Sequence, residues 1–396
     1  MTIAAPTSAI NLALDWLTDS KVRVVAPQQA PNGGYYQGYD WQAHSYTFVY
    51  SKVSGYAISL LLNAYRWKQD EAYLTAAQDA ARFILKTQNH SATYDQQGAV
   101  PQGLKDDEYR ILPKFNSFDT AVCLQGLLDL YTWKKHPKML EACLEMGNWL
   151  LNMQFEDGAF QAAYSPDAEK AEQIDSSLHH PRGSLHAKHA ISLFKLYQYT
   201  EDQRFESAAL NVCDWVLNLQ HRNGSFRVAE HTPWIDTHTH CLATEGLLYA
   251  YFITKAERYR EAARRAGDWL LKAQNRDGSL SMTYKKRIWH KGGHFPDTLF
   301  PKHITDATAQ AIRIWLILYC RYGKARYLNA SRKAGGFLLR MQCTQADDSN
   351  KIGGFYYASG HPVIYTCSTQ FATAALFGLH NVYRTDNYRS MMEELF

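Results

Sequence analysis

Two aspartates stand at matching places in the chain, Asp119 in "FNSFDTAV" and Asp306 in "HITDATAQ". A third acid, Glu245, interrupts the apolar run "CLATEGLLYAY", and Glu108 is a further acid in reserve. Carboxyls set as a pair can divide the work of cleaving a glycosidic bond, one donating a proton while the other activates water or attacks. Histidines crowd two other stretches: His186 and His189 in "GSLHAKHA", His238 and His240 in "DTHTHC". With tyrosine they could abstract and return a proton at carbon. Arg182 and Lys188 stand beside the first histidine pair, where they could neutralise an acidic sugar. Tyr39, Trp41, Tyr46, Trp234, Trp289 and Tyr365 offer rings on which a sugar could stack. Each has a plainer reading. Asp119 and Asp306 could be first-turn partners of a helix dipole. Glu245 could be held in an ion pair by Arg313. His238 and His240 are two apart, so on a helix they would not share a face, and no metal site is expected.

Those residues must be positioned by a repeat. "WLLNMQFEDGAF" from Trp149 is echoed by "WVLNLQHRNGSF" from Trp215 and "WLLKAQNRDGSL" from Trp269. Aligned on an inner tyrosine, the chain reads Tyr65-Tyr73-Gln88, Tyr131-Met139-Gln154, Tyr197-Phe205-Gln220, Tyr251-Tyr259-Gln274 and Tyr319-Tyr327-Gln342 at constant spacing. A partial sixth copy carries His380 and Tyr388. Gly158, Gly224 and Gly278 follow the glutamine in the middle copies, in turns that stop the helix. Each unit pairs a helix apolar nearly all round with an amphipathic one. Outer helices are expected to start near 8, 71, 138, 204, 257 and 325, inner ones near 51, 117, 184, 238, 305 and 367. Six hairpins of this kind predict an all-α (α/α)6 toroid of six inner and six outer helices, one domain over 1–396. In a ring the inner helices aim their N-termini at one face, where the long aromatic loops also gather. Asp119 and Asp306, on the second and fifth inner helices, would face one another across it.

Composition excludes several classes. Net charge is only +4, too little to argue for nucleic acid or an anionic membrane. No apolar run is long enough to span a bilayer. The N-terminus lacks a signal-peptide pattern, and seven cysteines without a CxxC pair suit buried thiols, so a cytoplasmic setting is expected. No glycine-rich loop follows a strand, and no cofactor is expected.

"SYTFVYSKVSGYAISLLL", "FDTAVCLQGLL", "THTHCLATEGLL", "TDATAQAIRIWLILY" and "GGFYYASGHPVIY" together resemble the six-hairpin carbohydrate-enzyme superfamily. That group holds unsaturated glucuronyl hydrolases, N-acylglucosamine 2-epimerases, polysaccharide lyases and glucuronyl C5-epimerases. A closer likeness is to toroid proteins encoded near bacterial exopolysaccharide genes. Some relatives carry an acid just before the "SGY" segment, where Ser51-Lys52 stand here. The resemblance implies sugar chemistry on a uronate-bearing poly- or oligosaccharide. Hydrolysis by Asp119 and Asp306 is the first expectation, C5-epimerisation or lysis by the Tyr/His cluster the second, and glycan binding without turnover the third. The ring shape also serves terpene and lanthipeptide cyclases, but "KDDEY" has neither acidic-box spacing and "HTHC" has no partner cysteine motif.

Overall fold

The computed structural model of the protein describes residues 6–19, 22–26, 31–90, 96–105, 108–164, 180–286, 294–296 and 303–382. Trp289 lies outside them. Two compact units are formed: Met1–Leu17, Tyr39–Ser45 and Leu217–Phe396 make the first, Thr18–Gly38 and Tyr46–Val216 the second.

In the first unit, α1 (Thr7–Thr18) is joined by α8 (Thr237–Thr254), α9 (Glu257–Ala273), α10 (Thr305–Tyr322), α11 (Ala325–Met341) and α12 (Thr366–Asn381). The second holds α2 (Ser51–Lys68), α3 (Glu71–Thr87), α4 (Ser117–Trp133), α5 (Pro137–Asn152), α6 (His189–Thr200) and α7 (Gln203–Leu217). These boundaries match the repeat register, with one departure. The third inner helix opens as a 3-10 turn, Ser184–Lys188, before α6 begins at His189. Inner helices are buried nearly all round, α10 along "TDATAQAIRIWLIL" without a break. Outer helices bury one stripe: α9 hides Tyr259, Ala262, Ala263, Ala266, Trp269 and Leu270, while Arg264 pairs with Glu261 and Asp268 on its wet side.

The repeated glutamine donates its amide to two backbone carbonyls, one in the turn that follows it and one in an outer helix. The Gln154 amide donates to Gly158 O and Ala208 O, both at 3.0 Å; Gln220 to Gly224 O and Ala262 O; Gln274 to Gly278 O and Ala330 O. Gln88 does the same with Gly98 O and Ala142 O. Gln342 donates to Ala9 O at 2.8 Å and to Gly353 O at 3.2 Å, so the last outer helix, α11, is tied to the first, α1. The glycine is required twice over. Gly224 has φ +97°, and a Cβ there would stand 2.2 Å from the carbonyl oxygen of Arg265. Gln342→Leu should therefore lower stability by about 2–4 kcal/mol, because two buried carbonyls lose their donor; urea unfolding measures it.

Short strands, two to four residues long, precede the inner helices. Trp234–Asp236 pairs antiparallel with Thr283–Lys286, with Asp236 opposite Thr283. Val49–Tyr50 pairs with Gly103–Lys105. They are too short to show an alternating pattern in sequence.

Candidate functional site

The fourth residue of an inner helix has a structural duty. Ser54, Thr120, Thr308 and Thr369 each accept a backbone N–H from the loop that follows an outer helix, donated by Tyr35, Val100, Leu280 and Phe355. His240 holds that place in α8. Its Nδ1 accepts the N–H of Phe226 at 3.1 Å, and its Nε2 lies 3.3 Å from Ala266 O as the donor. Both ring nitrogens are spent on backbone, and burial pushes its pKa down to about 3. His240 thus ties two backbone groups together in the neutral form. In the repeat register this place is a hydroxyl in four copies, Ser54, Thr120, Thr308 and Thr369, and a histidine in two, His186 and His240.

His238 lies on the other side of α8, its ring 5.7 Å from that of Phe371 on α12, and it is only half-buried. The two histidines of "HTH" meet different neighbours. His186 is fully buried, packed on His189 at 4.9 Å and on Phe160 at 6.0 Å.

In the second unit, Asp119 is fully buried as the third residue of α4 and caps nothing. It accepts from Asn116 Nδ2 at 2.7 Å and from the Tyr50 hydroxyl at 3.4 Å, and Lys52 Nζ lies 3.8 Å away. Burial pushes its pKa up, against the pull of Lys52, Asn116 and Tyr50. The cluster is an ion pair with Lys52 standing over the Tyr50 and Phe118 rings. Glu108 is exposed.

The first unit gathers a different set. Asp306 is the second residue of α10 and likewise caps nothing. Asp236, which the sequence reading passed over inside "WIDTHT", does the capping: its Oδ1 accepts the N–H of Thr239 at 2.8 Å at the head of α8. Asp236 and Asp306 are 5 % and 7 % exposed. They feel one another's charge. Burial first, and Asp306 in addition, push Asp236 up to about 6 against the backbone bonds that favour its ionised form. The Tyr357 hydroxyl is held protonated by burial and by the fields of both acids. Cys367, opening α12, points its thiol at Asp306 Oδ2, 3.8 Å away. Tyr357, His361 and Tyr365 form a ring cluster with centroids 5.3–5.6 Å apart.

Glu245 is 1 % exposed, and Arg313 Nη1 lies 3.2 Å from its Oε1, so the partner suggested by sequence is the one found. Its catalytic candidacy gives way to this pairing, because a carboxylate neutralised and sealed by a guanidinium has no proton to trade.

The other binding candidates divide. Trp234 and Tyr46 are half-buried, Tyr46 tilted on Tyr36 at 5.1 Å. Tyr39 is buried, its hydroxyl on Asp348 at 2.5 Å, and offers no open face. Trp41 is anchored to His361 O through Nε1 at 3.0 Å, with Lys351 Nζ 4.7 Å over its ring. Arg182 pairs with Asp157 and rests 5.4 Å over Phe155 and Trp215. Lys188 is buried in the 3-10 turn. A groove of about 590 Å³ lies between the outer helices α3 and α5, lined by Arg82, Met139 and Glu145 among others, and holds none of these residues. Among the described residues no three His, Cys, Asp or Glu side chains are grouped to hold a metal ion, and no helix is long and apolar enough to cross a membrane.

Solved structures resemble the chain over nearly its whole length. A cellobiose 2-epimerase from Bacillus thermoamylovorans is 15 % identical, covers 96 % of this chain and 100 % of its own, and aligns with a TM-score of 0.72. A D-mannose isomerase (12 % identical, 96 % and 98 % covered, TM-score 0.70) and an unsaturated glucuronyl hydrolase specific for heparin (12 %, 96 % and 98 %, 0.69) align as well. No family model matches the sequence, and no curated protein does. The likeness defines the class of fold, an all-α (α/α)6 toroid, as the repeat predicted.

Proposed function

We propose that the protein is a carbohydrate-active enzyme that cleaves a glycosidic bond, with Asp236 as proton donor and Asp306 as the base that activates water. The observation that carries this is a pair of buried carboxyls at the heads of α8 and α10, Asp236 raised chiefly by its burial and to a lesser degree by Asp306. Two such groups resist ionising together, so one keeps a proton near neutral pH while the other does not. Tyr357, Tyr365 and His361 supply rings beside Asp306 for a sugar. The fold is shared with sugar enzymes, which supports the substrate class by analogy only. The pair differs from the one expected from sequence, Asp236 taking the place given to Asp119. With Arg182 engaged by Asp157, support for a uronate-bearing substrate weakens, and the proposal covers neutral glycans equally.

A second reading, epimerisation or isomerisation of a sugar, is favoured by His238. It is half-buried, two residues from Asp236, and stands where an imidazole could take a proton from carbon. One assay separates the two. Cellobiose, D-mannose and an unsaturated glucuronyl disaccharide are incubated with the protein in deuterated water and followed by NMR. New reducing ends without deuterium on carbon support cleavage. Deuterium at a ring carbon with an intact glycosidic bond, lost in His238→Ala, moves the assignment to epimerisation.

A further inference from the structure

The net charge of +4 conceals an asymmetry among the outer helices. α9 carries five basic and three acidic residues, and α11 four basic and none acidic, a net of +6 over the two. The other four, α1, α3, α5 and α7, come to −3 together. Helices with the same place in the repeat therefore differ in sign on their wet sides. Amphipathic packing asks only that this side be polar, so packing gives no reason for the excess.

The two basic helices are neighbours. The amide of Gln274, just past α9, donates to Ala330 O of α11 at 3.0 Å, and Arg326 of α11 donates to Asp268 of α9 at 2.7 Å. Some cations are spent on local acids: Arg260 on Glu257, Arg264 on Glu261 and Asp268. Others gather where the turn after α9 lies against α11. A Cβ on Gly278 of that turn would stand 2.2 Å from the Lys333 carbonyl oxygen, and Arg340 donates to Asp277 O at 2.8 Å. Lys272, Arg276 and Lys333 are exposed there, and among the described residues none of the three forms an ion pair. The acid of the turn, Asp277, is engaged by His303 at 2.9 Å. Like charges gathered in this way repel one another, and a polyanion laid across them reverses that.

We propose that the wet face of α9 and α11 binds an acidic polysaccharide, outside the site of Asp236 and Asp306 at the heads of inner helices. The choice of polymer rests on the carbohydrate reading; the charged face stands without it. Among the described residues the exposed large hydrophobics are Val25, Ile111, Trp133 and Phe155, none of them on these helices. The face thus lacks rings on which unpaired bases would stack and apolar groups that would enter a bilayer. Glu257, Glu261 and Asp268 lie among the cations, and they disfavour duplex nucleic acid, which carries a charge every ~1.7 Å. A chain bearing a carboxylate on each sugar spaces its charges more widely. Held by attraction that salt screens, such a chain is kept close to the protein and resupplied to it.

The test reads binding rather than activity. The full-length protein is titrated with polygalacturonate at about 50 mM and about 300 mM salt, beside neutral dextran, duplex DNA and phosphatidylglycerol vesicles. The variant combines Lys272→Glu, Arg276→Glu and Lys333→Glu. The native protein is expected to bind polygalacturonate at the lower salt, to lose about tenfold or more in affinity at the higher, and to ignore dextran. The variant is expected to lose about tenfold or more at the lower salt, its melting temperature unchanged, because the three side chains hold no ion pair of the fold. Equal affinity of native protein and variant for polygalacturonate, or no binding at the lower salt, would overturn the proposal. Tighter binding of duplex DNA or of the vesicles than of polygalacturonate, lost in the variant, would overturn it too, and name that partner instead. Polygalacturonate bound by the native protein and lost in the variant, with no sugar ever turned over, would leave this face standing and count against the functional reading.

Discussion

Asp306→Asn is expected to cut turnover by about 10²- to 10⁴-fold while leaving the fold intact, the loss that follows removal of a positioned proton-transfer group. Asp236→Asn should lose activity to a similar extent, but its stability should move the opposite way from an ordinary loss of a buried group. Folded Asp236 keeps its proton to about pH 6, the unfolded residue only to about pH 4. Between those values the folded state binds more protons, so stability declines as pH rises through the window, by up to about 3 kcal/mol. Asparagine carries no charge to bury and still offers Oδ1 to the N–H of Thr239 as a helix cap. The variant should therefore be dead yet more stable than the native protein at pH 8, and no more stable at pH 4. Urea unfolding at the two pH values, beside the turnover assay, tests both halves. Full activity in Asp236→Asn would end its assignment as proton donor, and a flat stability profile in the native protein would mean its carboxyl titrates where an unfolded aspartate does.

The helical hairpins were plain in the sequence because their cause is local. An inner helix such as α4 must be apolar on all sides to be buried on all sides, and an outer helix such as α9 must be striped. Gln154, Gln220 and Gln274 also showed their structural nature through fixed spacing, although not what they held. Their partners Ala208, Ala262 and Ala330 lie 42 to 56 residues away. Asp236 was overlooked for the opposite reason. Its neighbour Asp306 is seventy residues distant, and the strand pairing of Asp236 with Thr283 that aims it is too short to leave a pattern. For the histidines, residue type suggests chemistry while only partners reveal use. His240 is occupied by two backbone groups and His186 by two rings. For Glu245 the sequence offers both a catalytic role and an ion pair with Arg313, and the pairing is the part that is seen, because a charge inside an apolar helix must find its opposite on the facing one.

That pair gives the largest stability effect expected of a single substitution. Arg313→Met should destabilise the protein by about 3–5 kcal/mol, since it strands the carboxylate of Glu245 where only 1 % of the residue reaches solvent. The figure measures the cost of an uncompensated charge, not the worth of the bridge. Removing both charges discriminates between the two. Glu245→Leu combined with Arg313→Met replaces an ion pair by apolar groups of similar size, and such exchanges are often neutral or stabilising. The double variant is accordingly expected to recover most of what Arg313→Met loses, with a strongly favourable coupling in the double-mutant cycle. Denaturant unfolding of the four proteins at pH 7 decides it. If the double variant is as unstable as Arg313→Met, the site tolerates no apolar filling, and the bridge itself, through its fixed geometry between α8 and α10, is what holds the two helices in register.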